Sequence, residues 1–127
     1  MKRIVCLLLI AMSATMLAVR EGEAGEMRGM SLLENVRTGN VEAVRSMLAS
    51  AETEVRDGEG RTALLLATRQ DQVEIARLLI EAGADVNAKD TIQDTPFLFA
   101  GAEGRDAILR LILATGKANL RDTNRYG

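Results

Sequence analysis

The sequence predicts an all-α solenoid, in which about three helix-loop-helix units are stacked and joined by hairpin-like loops. An internal repeat is the main reason, because the segments that begin at Gly60 and Gln93 agree when they are aligned 33 residues apart. The shared positions are Thr62 and Thr95, Ala67 and Ala100, Ile75 and Ile108, and Gly83 and Gly116. Composition agrees as well, since 47% of the 127 residues are apolar and only 2% are aromatic, which is typical of helices packed through small aliphatic side chains.

Each unit is predicted to contain two short helices and a loop. In the second copy Thr62 is placed to cap the helix "ALLLATRQ". The second helix begins at Val73 and ends before Gly83, which is expected to adopt the left-handed conformation common after a helix. The apolar positions of that helix fall at helical spacing: Val73, Ala76, Leu79 and Ile80, widened by Ile75 and Leu78. In the third copy Thr95 is the cap and Pro96 occupies the first helical position. A helix pair this short buries its apolar faces only by stacking on its neighbours.

An earlier and weaker copy, "MSLLENVRTGNVEAVRSMLASAETEVRD", is offset by 32 residues from the second. It resembles an N-terminal cap because polar residues replace apolar or small ones at four positions: Glu34, Asn35, Arg37 and Ser46. The third copy is predicted to present an apolar outer face made of Phe97, Phe99, Ile108, Leu111 and Ile112. We therefore expect either a longer repeat array than these residues represent or another chain covering this face.

The N-terminal residues are predicted to form a signal peptide rather than part of the repeats. Lys2 and Arg3 precede an uncharged apolar run over residues 4–19, and small and polar residues follow. This run is shorter than the roughly 20 residues that a spanning helix needs. The interpretation is a cleaved signal over residues 1–24 and a periplasmic or secreted protein, and the alternative is a membrane anchor formed by residues 4–19. The single cysteine, Cys6, lies in this segment, so disulfides are not expected to stabilise the remainder.

The repeats resemble the ankyrin family, whose pattern contains Asp-x-x-Gly-x-Thr-Pro-Leu-His, a Leu-Leu run and Gly-Ala-Asp-x-Asn. The second copy has Asp57, Gly60, Thr62, Leu64, Ala67, Leu78, Leu79 and the run Gly83-Ala84-Asp85-Val86-Asn87. The third has Asp90, Thr95, Pro96, Ala100, Gly104, Gly116 and Asn119. The resemblance covers about Met30 to Gly127. It implies a repeat domain over residues 25–127, with units at about 28–57, 58–90 and 91–122 and the start of a fourth at 123–127.

Departures from that pattern predict local differences between the copies. Leu65 and Leu98 replace the family histidine, and the chain contains no His. Gln93 stands where the preceding copy has Gly60, so a left-handed turn there would be strained by roughly 1 kcal/mol. The first and third copies are each expected to have a loop one residue shorter before the next Asp.

The residue types argue against catalysis and against a cofactor. Without His, and with Cys6 in the predicted signal, the usual nucleophilic arrangements and zinc ligand sets are missing. The acidic residues at the predicted loop tips are better explained as turn formers and solvated groups than as calcium ligands: Asp57, Glu59, Asp90 and Asp94. A net charge of −2 and few aromatic residues make nucleic acid an unlikely partner. We expect a non-catalytic protein with no cofactor, no metal and no small-molecule substrate.

The ankyrin resemblance implies a protein-binding face made of the loop tips and the exposed side of the first helix of each unit. In the second copy these positions are Gly58, Glu59, Arg61, Arg69, Gln70 and Lys89. In the third they are Thr91, Ile92, Asp94, Ala102 and Glu103. Ile92 is singled out as an apolar residue at a tip, and Arg61 and Arg69 as donors to a partner carboxylate. The hypothesis is an exported adaptor or inhibitor that binds an unidentified protein, and the alternative is a repeat fragment that self-associates through its third unit.

Overall fold

The computed structural model describes residues 32–50 and 53–127, and the predicted signal peptide lies outside these ranges. Within them the chain forms six helices and no extended strand, which confirms the all-α prediction. The helices are α1 (32–38), α2 (Val41–Leu48), α3 (Ala63–Arg69), α4 (Val73–Glu81), α5 (Pro96–Ala102) and α6 (Asp106–Ala114). No helix in the described ranges is long and apolar enough to cross a membrane.

The helices stack in two layers. In the inner layer α3 packs against α5, and in the outer layer α4 packs between α2 and α6, while α3 and α5 each also contact the outer helix that follows them. One hydrophobic core runs through the stack and includes fully buried side chains from all six helices: Leu32, Val36, Val44, Leu64, Ile75, Leu79, Ala100, Ile108 and Ile112. Burying a Leu or Ile side chain stabilises the fold by about 1.5–3 kcal/mol, so stacking supplies what a single helix pair lacks.

The predicted helix starts are confirmed. The hydroxyl oxygen of Thr62 accepts a hydrogen bond from the backbone N–H of Leu65 at 3.3 Å. Thr95 accepts in the same way from Leu98 at 3.1 Å, and Pro96 occupies the first turn of α5. These two caps fix where α3 and α5 begin, so the loops before them end at equivalent points.

Left-handed residues end every described helix except α2, and the sequence predicts the one that ends α4. Gly83 follows α4 with φ of +92°, a conformation that costs glycine little. Between the inner and outer helices, Asp71 adopts φ of +56° where the neighbouring repeats have Gly39 and Gly104 at +74° and +67°. Asp tolerates this region better than most residues do, so the turn is retained without glycine.

The predicted apolar outer face of the third unit is wrong for two of its five residues. Ile108 and Ile112 are fully buried, because they lie one turn apart on the side of α6 that packs against α4. The other three residues are half-buried: Phe97, Phe99 and Leu111. The large apolar residues that the described ranges expose are Leu113 and Leu120 in this unit and Tyr126 just after it.

Candidate functional site

The loop that precedes each inner helix is a tight turn organised by an acidic side chain. Asp57 accepts hydrogen bonds at Oδ1 from the backbone N–H groups of Glu59 and Arg61, at 2.9 and 3.0 Å. Asp90 accepts from the N–H groups two and four residues after it, at 3.0 and 2.9 Å. These carboxylates therefore hold the turns, as predicted. The described residues contain no group of three or more acidic, His or Cys side chains placed to hold a metal ion.

Main-chain hydrogen bonds join the tips of consecutive loops into one row. The N–H of Thr91 donates to the carbonyl oxygen of Glu59 at 3.1 Å, and the N–H of Arg125 donates to that of Ile92 at 3.0 Å. The guanidinium of Arg56 adds a side-chain bond of 2.6 Å to the carbonyl oxygen one repeat further along, that of Lys89. The tips are thus fixed relative to each other before any partner arrives.

The first two loop tips begin at Asp57 and Asp90, and the third tip begins at Asn124 and not at Asp122. This corrects the predicted loop length of the third copy. Asn124 accepts from the N–H of Tyr126 at 2.9 Å, and its carbonyl oxygen accepts from Gly127 at 3.1 Å. The same two bonds organise the turn at Asp57, so Asn124 is the equivalent residue. The third copy therefore has a longer loop than the second rather than a shorter one.

Asp94 was predicted to be accessible, and the structure corrects this. Asp94 is only 8% exposed, and its Oδ1 accepts a hydrogen bond of 2.9 Å from the side-chain amide of Asn124. The carboxylate links the second tip to the third and offers little surface to a partner.

The surroundings of Asp57 perturb the ionisation of its carboxyl. Burial raises the pKa of its carboxyl, but hydrogen bonds from the backbone N–H groups of Arg61 and Glu59, together with the Arg61 guanidinium, outweigh burial and lower that pKa below its usual value. Its Oδ2 also lies 3.3 Å from the guanidinium of Arg37 in the first repeat. The ionised carboxylate thus ties the first two repeats together.

The remaining predicted site residues differ in accessibility. Those that are exposed are Gly58, Glu59, Gln70, Lys89, Thr91, Ala102 and Glu103. The half-buried ones are Arg61, Arg69 and Ile92. Arg61 is held by two carboxylates at 2.9 Å, those of Asp57 and Glu59, and Lys89 lies 3.2 Å from Asp122. Their charges are already matched within the chain.

Arg69 has a different environment, because it contacts an aromatic ring. Its guanidinium carbon lies 4.6 Å from the centroid of the Phe99 ring, on the inner helix of the next repeat. Phe99 was considered for the outer face and not for the binding face. Ala102, which is exposed, follows it by three residues on the same side of α5. That spacing from a predicted site residue is the signal that points to Phe99.

Side chains also join the loops that follow the outer helices. Asn87 donates to the carbonyl oxygen of Lys117 and accepts from the N–H of Asn119, both at 2.7 Å. One repeat earlier, Glu54 accepts from the N–H of Asp85 at 2.9 Å. The residues "GADVN" therefore act as a connector between repeats, as the sequence predicts.

The fold and this face define a class of protein, namely a solenoid of stacked helix pairs whose loop tips form a row along one side. A family model described as ankyrin repeats in three copies matches residues 4–90 and 32–124. The chain belongs to the ankyrin repeat family.

Similar proteins support the same assignment. The ankyrin repeat protein YahD of Escherichia coli K12 is 33% identical over 90 residues, which cover 70% of this chain and 44% of YahD. Inversin of Gallus gallus is 34% identical over 92 residues, or 68% of this chain and 8% of inversin. An ankyrin repeat domain from Acinetobacter baumannii AYE superposes with a TM-score of 0.72 at 46% identity, and covers 76% of this chain and 50% of the solved one. The chain thus spans half or less of the length of these relatives.

Proposed function

We propose that this chain binds a partner protein through its concave face, which consists of the loop tips and the inner helices α3 and α5, and that it acts as a non-catalytic adaptor or inhibitor. Ankyrin repeats are generally non-catalytic protein–protein interaction modules, and this property supports the proposal. Function in such a scaffold depends on the side chains that the loops and helices display.

The observation that carries the proposal is the row of joined tips. The main-chain bonds from Thr91 to Glu59 and from Arg125 to Ile92 hold successive tips in register, while Glu59 and Thr91 keep exposed side chains. A surface that is ordered in the free protein loses little conformational entropy on binding, and affinity rises accordingly.

Paired surface variants test this proposal. Thr91→Arg with Ala102→Arg places two bulky cations on the concave face, and Ala107→Arg with Ala114→Arg places two on the exposed side of α6. The two variants and the wild type are each used as bait in crosslinking capture from the native cell envelope, followed by mass spectrometry. The proposal expects a partner retained by the wild type and the α6 variant and lost by the concave variant. A partner that survives the concave change but is lost with the α6 change places binding on the outer layer and contradicts the proposal.

Export belongs to the same proposal and depends on residues 1–24, where a basic start precedes an apolar run. We expect the protein recovered from the periplasm or medium to begin near residue 19 or residue 25. N-terminal sequencing of the native protein measures this. An intact Met1 in the membrane fraction would favour the anchor formed by residues 4–19, and an intact Met1 in the cytosol would contradict both.

Self-association through the third repeat is the second candidate. It is favoured by the exposure of Leu113, Leu120 and Tyr126, which are 46%, 67% and 78% accessible. Sedimentation velocity over a hundredfold concentration range tests it, with Leu120→Asp as the disrupting variant. A concentration-independent monomer counts against this candidate and leaves the partner-binding proposal unaffected.

A further inference from the structure

We infer that Arg69 is the point at which the concave face recognises an acidic side chain of the partner, an Asp or Glu in an extended segment. This inference rests on the proposed function and specifies the chemistry of the partner. Its basis is the charge state, the support and the surroundings of one guanidinium group.

Arg69 is a cation that the described residues leave without a carboxylate. Six other cations lie within 4 Å of an acidic oxygen: Arg37, Arg45, Arg61, Arg77, Lys89 and Arg105. Arg56 and Arg125 donate to backbone carbonyl oxygens instead. Arg110, Lys117 and Arg121 are exposed, so water solvates their charges. Among the cations of ranges 32–50 and 53–127 that have no acidic oxygen within 4 Å, Arg69 is the one that is half-buried.

The Phe99 ring holds the Arg69 guanidinium in place. At 4.6 Å from the ring centroid, the cation is attracted by the negative face of the ring, and one side of the group is shielded from water. The main chain is fixed too, because the carbonyl oxygen of Arg69 accepts a bond of 3.3 Å from the side chain of Arg105. A planar guanidinium that is already oriented can bind a carboxylate through two N–H groups with a small loss of rotamer freedom.

There is room for a partner chain beside this group. Ala102, on the last turn of α5, is exposed and small, and it lies on the same side of the helix as Phe99. A small residue next to the Arg69 and Phe99 pair allows the backbone of an extended segment to approach closely. Its acidic side chain would then reach the guanidinium, while an adjoining carbon stem covers the ring edge.

The test uses linear peptides of random sequence displayed on phage and selected against the purified full chain. A binder is assigned to the concave face when Ala102→Tyr abolishes its binding and Ala107→Tyr, on the exposed side of α6, does not. We expect concave binders to share an Asp or Glu at one position. Synthetic peptides are then measured by calorimetry against Arg69→Gln, with Arg110→Gln as the control for loss of one positive charge.

Arg69→Gln is expected to weaken those peptides at least about tenfold, and Arg110→Gln less than about twofold. Replacing the shared acid with its amide should weaken wild-type binding by the same factor and leave binding to Arg69→Gln unchanged. Concave binders without a shared acid, or with an acid that tolerates Arg69→Gln, would overturn this inference and leave the proposed function standing. If no selected peptide is sensitive to Ala102→Tyr, the concave face is not the binding face and the proposed function fails.

Discussion

Replacing Gln93 with glycine should stabilise the protein, although it deletes a side chain. Gln93 has φ of +64°, and the equivalent residue one repeat earlier, Gly60, has +72°. A residue with a Cβ in this region is strained by about 1–2 kcal/mol. Glycine removes this strain, but the greater freedom of the unfolded chain offsets the gain in stability by about 0.4–1 kcal/mol. The turn bond from the N–H of Gln93 to Asp90 uses main-chain atoms only and survives the change.

The net gain expected for Gln93→Gly is therefore about 0.5–1 kcal/mol in the free energy of unfolding. Urea unfolding followed by circular dichroism measures it, and a constant m-value shows that the surface exposed on unfolding is unchanged. Gly60→Gln is the matched reverse variant. It should destabilise by more, because its Cβ would lie 3.3 Å from the backbone nitrogen of Thr91 in addition to the dihedral strain. A Gln93→Gly protein that is equally stable or less stable would refute the strain argument.

Three further predictions concern the bonds between repeats and the packing of the core. Asn87→Ala removes two bonds of 2.7 Å to the third repeat and should destabilise by about 1–3 kcal/mol, with hydrogen exchange accelerated in α5 and α6 but not in α2; uniform acceleration would contradict this. Because the folded pKa of Asp57 is lowered, its stabilising effect is present above the unfolded pKa of about 3.9 and lost as pH falls through the folded value. Asp57→Asn should therefore reduce stability at pH 7 and flatten its decline below pH 4 in acid titrations, and an unchanged pH profile would exclude this role. Leu79→Ala, at a fully buried position, should cost about 2–5 kcal/mol in thermal or urea unfolding, and a cost below 1 would show a core that closes around the cavity.

Features that depend on a few neighbouring residues could be predicted from the sequence. Thr62 and Thr95 cap their helices through an N–H three residues later, and Gly83 ends a helix with its own dihedral angles. The left-handed turn at Gln93 followed from alignment with Gly60. In each case the physical cause lies within one turn of the chain or in the copy 33 residues away, so the repeat alignment was sufficient.

Features that depend on contacts between repeats were missed or misplaced. The burial of Asp94 results from a bond to Asn124, 30 residues later, and no local pattern indicates it. The role of Asn124 was hidden because an Asp was expected, yet the turn requires only an acceptor oxygen, which an amide also supplies. The Asn-x-x-Gly spacing that it shares with Asp57 and Gly60 would have identified it.

The orientation of α6 was misjudged for a related reason. Composition showed that the third unit is as apolar as an internal one, but it did not show which apolar residues face the second unit. Ile108 and Ile112 align with Ile75 and Leu79, and all four are buried. Position within the repeat therefore predicted burial better than the hydrophobicity of the unit as a whole.

The main-chain bonds that join the loop tips use backbone atoms of Glu59, Thr91, Ile92 and Arg125. Side chains at Glu59, Thr91 and Ile92 can therefore be exchanged without removing these bonds, provided that the left-handed residues Gly60 and Gln93 are kept, whereas Arg125 also donates through its guanidinium to the carbonyl oxygen of Thr91. The chain separates what holds the scaffold together from what distinguishes one scaffold from another. A library randomised at residues 58, 59, 91 and 92 would change recognition while leaving folding largely intact. Natural sequences can diverge at these positions for the same reason.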